Sequence, residues 1–368
     1  MCTCGLPQTV MLETWPAWAM AVLPVLVLVV LVLVWHRILV RLRGPEPMPY
    51  SRVSTADGAL LALYRTGNPA GAPVILVGGL AVSHMYWDFA APRLSGRDQS
   101  VSDYLGQQGF DVWSFDYRGH GRSRAPSLWS SYTVQHLVDE DLHAVIQSVL
   151  QLRPGLSAQH VHLVAHSFGA VAALAYLAQS GTSYGRSALL APPLAMAEST
   201  RLARWIVRNR AIISTWPVVA FGSFARWFPY AFAALQPPLA RYFITAQQTS
   251  AATFLRWTMT CLADVSSRLT IEIMGWIAHH GARWQRRAVR EVVPDVRTPL
   301  LYLTSADDRL APSNLFESVA EQLPAHSKWL VLPEDASMGN CDMLIGRTAL
   351  STVWDPLVAW LRQSAPSK

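Results

Sequence analysis

The sequence predicts an α/β fold: a mostly parallel sheet with helices on both faces, a helical insertion, and one membrane-crossing helix ahead of them. Three observations predict this. Short apolar runs alternate with amphipathic stretches from Arg52 onward, the rhythm of strand and helix in a parallel sheet. That rhythm breaks between Leu194 and Val296 and resumes with an apolar run at Leu300. Pro16 to Trp35 is an unbroken run of 20 residues without charge.

The apolar run comes first. As a helix it rises about 30 Å, enough to cross the hydrocarbon core of a bilayer. Pro24 within it is tolerable in a membrane helix. A cleaved signal peptide would place basic residues before a shorter apolar stretch and a small-residue cleavage site after it. Here no Lys or Arg precedes the run, while Arg37, Arg41 and Arg43 follow it. The expectation is a tail at 1–15, then an uncleaved single-pass anchor at 16–40, with the main domain on the cytoplasmic side. Residues 41–50 read as a linker stiffened by Pro45, Pro47 and Pro49.

Composition narrows the function classes. The net charge of +6 is carried by arginine, since Lys328 and Lys368 are the only lysines. The basic residues are scattered or flank the apolar run, so no nucleic-acid partner is expected. Cys2, Cys4, Cys261 and Cys341 form neither a disulfide framework nor a metal-ligand spacing, so no metal is expected.

Residues 59–64 and 73–77 read as strands, the second running into Gly78-Gly79. Residues 111–115 form another, followed by the loop Tyr117-Arg118-Gly119-His120-Gly121-Arg122-Ser123. Residues 131–150 have helical periodicity. Residues 161–165 read as a strand leading straight to Ser167, and 169–178 as a helix rich in Ala that can pack closely on a sheet. Strands at 187–191, 300–304 and 328–332 follow. The core is thus expected to occupy 51–194 and 297–362, with a tail at 363–368. Residues 195–296 read as a helical cap crowded with aromatics, among them Trp205, Trp216, Phe224, Trp257 and Trp276, with arginines interleaved. Either those aromatics pack onto the sheet and one another, or the cap grips an apolar substrate and touches a membrane surface.

The turn Ala165-His166-Ser167-Phe168-Gly169 carries the chemistry. A serine between strand and helix, with small residues two before and two after, occupies a tight turn that lifts its hydroxyl above the sheet edge. The alternative is a serine that merely caps the helix. Gly78-Gly79-Leu80 suits an oxyanion loop, with the amides of Leu80 and Phe168 as its two donors. The alternative is an ordinary Gly-Gly turn.

On these residues the chain resembles the α/β-hydrolase superfamily over roughly residues 50–362. It is similar in detail to bacterial members related to polyhydroxyalkanoate synthases and to acid-lipase-like hydrolases. The matching residues are Gly78-Gly79-Leu80, the loop from Asp116 to Ser123, His166-Ser167-Phe168-Gly169, Asp308-Arg309-Leu310-Ala311-Pro312, and Gly339 with the run from Cys341 to Gly346. The resemblance implies an eight-stranded sheet, a triad in the order Ser, Asp, His, and no cofactor. It makes Ser167 the nucleophile and Asp308 the acid, with Asp307 as a solvated neighbour or, alternatively, the acid itself. It also puts the catalytic histidine at position 340, where this chain has Asn340.

An amide cannot accept a proton from a serine near neutral pH as an imidazole can. Removing the base of such a set costs about a millionfold in kcat, roughly 8 kcal/mol of barrier. The last histidine, His326, precedes the strand at 328–332 and falls on the far edge of the sheet, as do His160 and His162. His84 falls on the correct edge, and His279 and His280 in the cap can hang into the site, so these three are the candidate substitute bases. Two readings follow. The first is a hydrolase of the bacterial inner membrane, acting on esters or thioesters of apolar, lipid-like acids through Ser167. The second is a catalytically impaired relative that binds a lipid-like ligand or a partner protein.

Overall fold

The computed structural model describes residues 49–91, 98–127, 131–195, 201–235 and 240–363, together with Val27. The chain divides into two units, Met1–Glu46 and Pro47–Lys368, and the second is described here. The expected anchor at 16–40 lies outside the described residues, apart from Val27. Among the described residues no helix is long and apolar enough to cross a membrane.

Eight strands form the main sheet: β1 (Tyr50–Ser54), β2 (Leu60–Gly67), β3 (Pro73–Val77), β4 (Asp111–Phe115), β5 (His162–His166), β6 (Ser187–Leu190), β7 (Leu300–Thr304) and β8 (Lys328–Val331). Their order is β1-β2-β4-β3-β5-β6-β7-β8. The pairings of β1 with β2 and of β2 with β4 are antiparallel, and the rest are parallel. This agrees with the eight-stranded, mostly parallel sheet the resemblance implies.

The strands at the centre are buried on both faces. All five residues of β3 are buried, and the pleat sends them alternately to two cores. Ile75 and Val77 join a cluster with helices α1 (His143–Leu152) and α2 (Phe168–Ser180). Val74 and Leu76 join a second cluster that includes Leu301, Leu303, Trp354 and Leu357. That double burial is why these strands read as continuous apolar runs.

The structure departs from expectation in three places. The supposed linker already contains the start of β1, an edge strand in which only Val53 is buried, so its pattern is faint. The helix expected at 131–150 opens at Val134 and passes through a wide turn, Leu137–Leu142, before α1. The insertion is not purely helical: besides α3 (Arg201–Arg208), α4 (Phe221–Trp227), α5 (Ala251–Cys261) and α6 (Ser267–Ala278), it holds two short antiparallel strand pairs. Its last turn, Val289–Asp295, returns against α2.

Candidate active site

Ser167 stands where β5 gives way to α2, with φ 53° and ψ −124°. A positive φ is strained for a residue with a side chain. The turn is held by the Ser167 N–H, which donates to the Leu190 carbonyl of the neighbouring strand at 2.9 Å. Space is the second constraint. A Cβ on Gly169 would lie 2.3 Å from the Gly78 oxygen, so only glycine lets the helix start this close to the end of β3. The Ser167 hydroxyl is half-buried and meets no hydrogen-bond acceptor among the described residues.

The loop after β3 passes beside this turn. Phe168 opens α2, so its N–H has no intrahelical acceptor, and the Leu80 N–H meets no backbone acceptor among the described residues. The insertion clamps this loop. The Ala81 carbonyl accepts from the Ala263 N–H at 2.7 Å, and the Ser83 N–H donates to the Cys261 carbonyl at 2.8 Å. On the other flank Trp276 of α6 stacks against Phe168, with ring centroids 6.1 Å apart.

Asp308 follows β7 and is fully buried. One carboxylate oxygen accepts the N–H groups of Leu310 (2.8 Å) and Ala311 (3.1 Å). The other accepts the Asn340 side-chain amide at 3.0 Å. Burial pushes this carboxyl up to about 6, against the pull of those hydrogen bonds. Asp307 is exposed and makes none of these contacts.

Asn340 is 1% exposed and is held through its backbone as well. Its carbonyl accepts from His166 Nε2 at 2.8 Å, and His166 Nδ1 accepts from the Tyr86 hydroxyl. Burial lowers the His166 imidazole to about 4, so it stays neutral and one tautomer serves both bonds. The loop around Asn340 is knitted to the insertion. The Cys341 N–H donates to the Phe243 carbonyl at 2.7 Å. Asp342 accepts from Thr249 Oγ1 at 2.6 Å, from the Thr245 N–H at 2.7 Å and from the Gly339 N–H at 2.9 Å. A Cβ on Gly339 would come within 2.9 Å of the Phe243 oxygen, so this crossing too needs glycine.

Among the described residues the Ser167 hydroxyl has no hydrogen bond to any of the three candidate bases. His84 is engaged elsewhere: its N–H and its Nδ1 both face Asp116 Oδ1, at 2.6 and 3.1 Å, and its ring stacks on Tyr64 with centroids 3.6 Å apart. Tyr64 sits on β2, three strand spacings from β5, roughly 14 Å across the sheet. His279 and His280 are exposed at the turn that ends α6. His160, His162 and His326 line a cavity of about 1000 Å³ with Pro73, Tyr184 and Pro299, at the sheet edge opposite Ser167. The partners Tyr86 and His166, which fix Asn340, were not identifiable as site residues from sequence. Only the adjacency of His166 to Ser167 gives a signal.

A second cavity, of about 530 Å³, adjoins the acid loop and is lined by Ile244, Thr245, Thr249, Asp307, Arg309 and Ser337, among others. Among the described residues no three His, Cys, Asp or Glu side chains are grouped to hold a metal ion. The turn that carries Ser167 thus lies beside the loop after β3, and the Asn340 backbone, whose side chain pairs with Asp308, is bonded to the neighbouring His166.

Comparison with known proteins agrees with this fold. Residues 72–336 match the alpha/beta hydrolase fold family. A stretch of 140 residues is 38% identical to a probable oxidoreductase, EphD, of Mycobacterium tuberculosis, covering 38% of this chain and 20% of that protein. Another, of 162 residues, is 32% identical to triacylglycerol lipase 2 of Arabidopsis thaliana, covering 39% of this chain and 36% of the lipase. The matches thus span only a fifth to about a third of these relatives. An esterase from Exiguobacterium antarcticum shares the fold, with a TM-score of 0.59 over 85% of this chain and 99% of the esterase at 19% identity. With well over half its length inside the family match, and with this sheet order, the chain belongs to the alpha/beta hydrolase fold family.

Proposed function

We propose that this protein is a membrane-anchored acyl hydrolase of the bacterial inner membrane. Ser167 attacks esters or thioesters of apolar, lipid-like acids, and residues 16–40 form the anchor, with the catalytic domain in the cytoplasm. One observation carries the reading: a serine held at φ 53° between β5 and α2, its hydroxyl without a hydrogen-bond acceptor among the described residues. A strained nucleophile position persists only where the surroundings enforce it. The name of the Arabidopsis lipase supports an apolar ester as substrate, and the anchor rests on the uncharged run before Arg37.

In this mechanism the Ser167 oxygen bonds to the acyl carbon and its proton passes to a solvent water. The carbonyl oxygen becomes an anion between the Leu80 and Phe168 amides. Collapse expels the alkoxide or thiolate, and water then hydrolyses the acyl-serine. Asn340 takes no proton and holds the Asp308 side of the site in shape. A site whose serine has no imidazole to take its proton works best on leaving groups that need no protonation, so thioesters and aryl esters react ahead of alkyl esters.

The Asn340–Asp308 bond also favours a second reading, a non-catalytic relative that retains the site as a binding pocket. A fluorophosphonate probe separates the two. The hydrolase reading expects labelling at Ser167 that is lost in Ser167→Ala. Folded protein that stays unlabelled at Ser167 and hydrolyses no thioester overturns it in favour of the second.

A further inference from the structure

We infer that the outer face of residues 201–228 docks on an anionic lipid surface. This part of the insertion exposes large apolar side chains that a monomeric soluble domain would bury: Trp216 is 69% exposed, Ile212 66% and Trp205 58%. Leu202, Phe221 and Phe228 extend the same segment. In α3 the inward side is satisfied by Ala203 and Ile206, so Leu202 and Trp205 are surplus to internal packing. Arg201, Arg208 and Arg210 are exposed among them.

Charge selects the occupant. Between Glu198 and Asp264 the sequence contains seven arginines and no carboxylate. Within 201–228 every charged side chain is an arginine, and Asp264, whose carboxylate touches the segment, is engaged by Ser223. Aromatic and aliphatic side chains mixed with arginine are the composition of an interfacial segment on acidic lipid. A second copy of this face is disfavoured, because a symmetric contact would set these arginines against one another. A protein partner would have to bring a wholly acidic rim. The face is mechanically close to the site: α3 packs against α6, whose Trp276 stacks on Phe168. Docking here would leave the cap seated on the membrane, one helix away from the nucleophile turn.

Hydrogen exchange of the full chain in lipid nanodiscs, read peptide by peptide, tests this without reference to activity. Peptides within 201–228 are expected to exchange several-fold more slowly in phosphatidylcholine–phosphatidylglycerol discs than in phosphatidylcholine discs, while peptides of β5 and β7 exchange alike in both. The double substitutions W205S/W216S and R208E/R210E, all at exposed positions, should each abolish the difference and leave the β5 and β7 peptides unchanged. Equal exchange of 201–228 in the two discs overturns the inference. So does a slowing in detergent that grows with protein concentration, which would assign the face to a second copy.

Discussion

The side-chain amide of Asn340 donates to Asp308 at 3.0 Å in a fully buried setting. This bond does structurally what an imidazole bonded to the same carboxylate would do, since it caps an oxygen that would otherwise be buried unpaired. It does not do the chemistry, because an amide holds its protons. On the proposed function, the site keeps its shape through this bond and is short of one proton acceptor.

The carboxylate at 308 is expected to be structural whatever the activity. Asp308→Ala strands three donors, the N–H groups of Leu310 and Ala311 and the amide of Asn340. A loss of about 2–4 kcal/mol in urea unfolding is expected. Asp308→Asn should cost far less, because Asn340 can turn its amide over and accept from the new one. Equal losses in the two variants would contradict the assignment.

The same carboxyl gives a pH signature. Its folded value is raised to about 6 by burial, above the unfolded value of roughly 3.9. The folded state thus binds the proton more tightly, so this contribution to stability is full below pH 4 and is lost as pH rises through 6. His166 runs the other way: lowered to about 4, it loses its contribution as pH falls from 6.5 toward 4. Subtracting Asp308→Asn from the wild type isolates the first effect. The stability of the wild type relative to the variant should rise on going from pH 7 to pH 4.5, by about 2 kcal/mol. A flat difference would refute it.

Ser167 is predicted to trade stability for position. Glycine adopts its φ without strain, so Ser167→Gly should raise stability by about 1 kcal/mol after the entropy cost of glycine, while removing any labelling by fluorophosphonate. Thermal unfolding of the variant checks this, and a lower Tm would show that the turn is relaxed.

Much of this was legible where burial writes a plain pattern. β3, β4 and β7 were read with their observed bounds, because strands buried on both faces are continuous apolar runs. The resemblance points to Asp308 rather than Asp307 as the acid, and of the two Asp308 is the buried one. β1 was missed because an edge strand buries a single residue. The engagement of His84 with Asp116 and Tyr64, and of Asp342 with Thr245 and Thr249, joins residues 20 to 97 positions apart and leaves no local trace. The strands buried on both faces are thus legible in the sequence, while the fastening of the Asn340 loop to the insertion is not.

The central claim is that Ser167 remains a nucleophile whose shuttle has been replaced by Asn340. Its most direct measurement is the rate of fluorophosphonate labelling at Ser167 in the wild type and in Asn340→His, with Ser167→Ala as the blank. The account predicts slow, Ser167-dependent labelling of the wild type and an increase of about 10²- to 10⁴-fold in the histidine variant. Labelling that is absent from both folded proteins, or rapid in the wild type and unchanged in the variant, would contradict it.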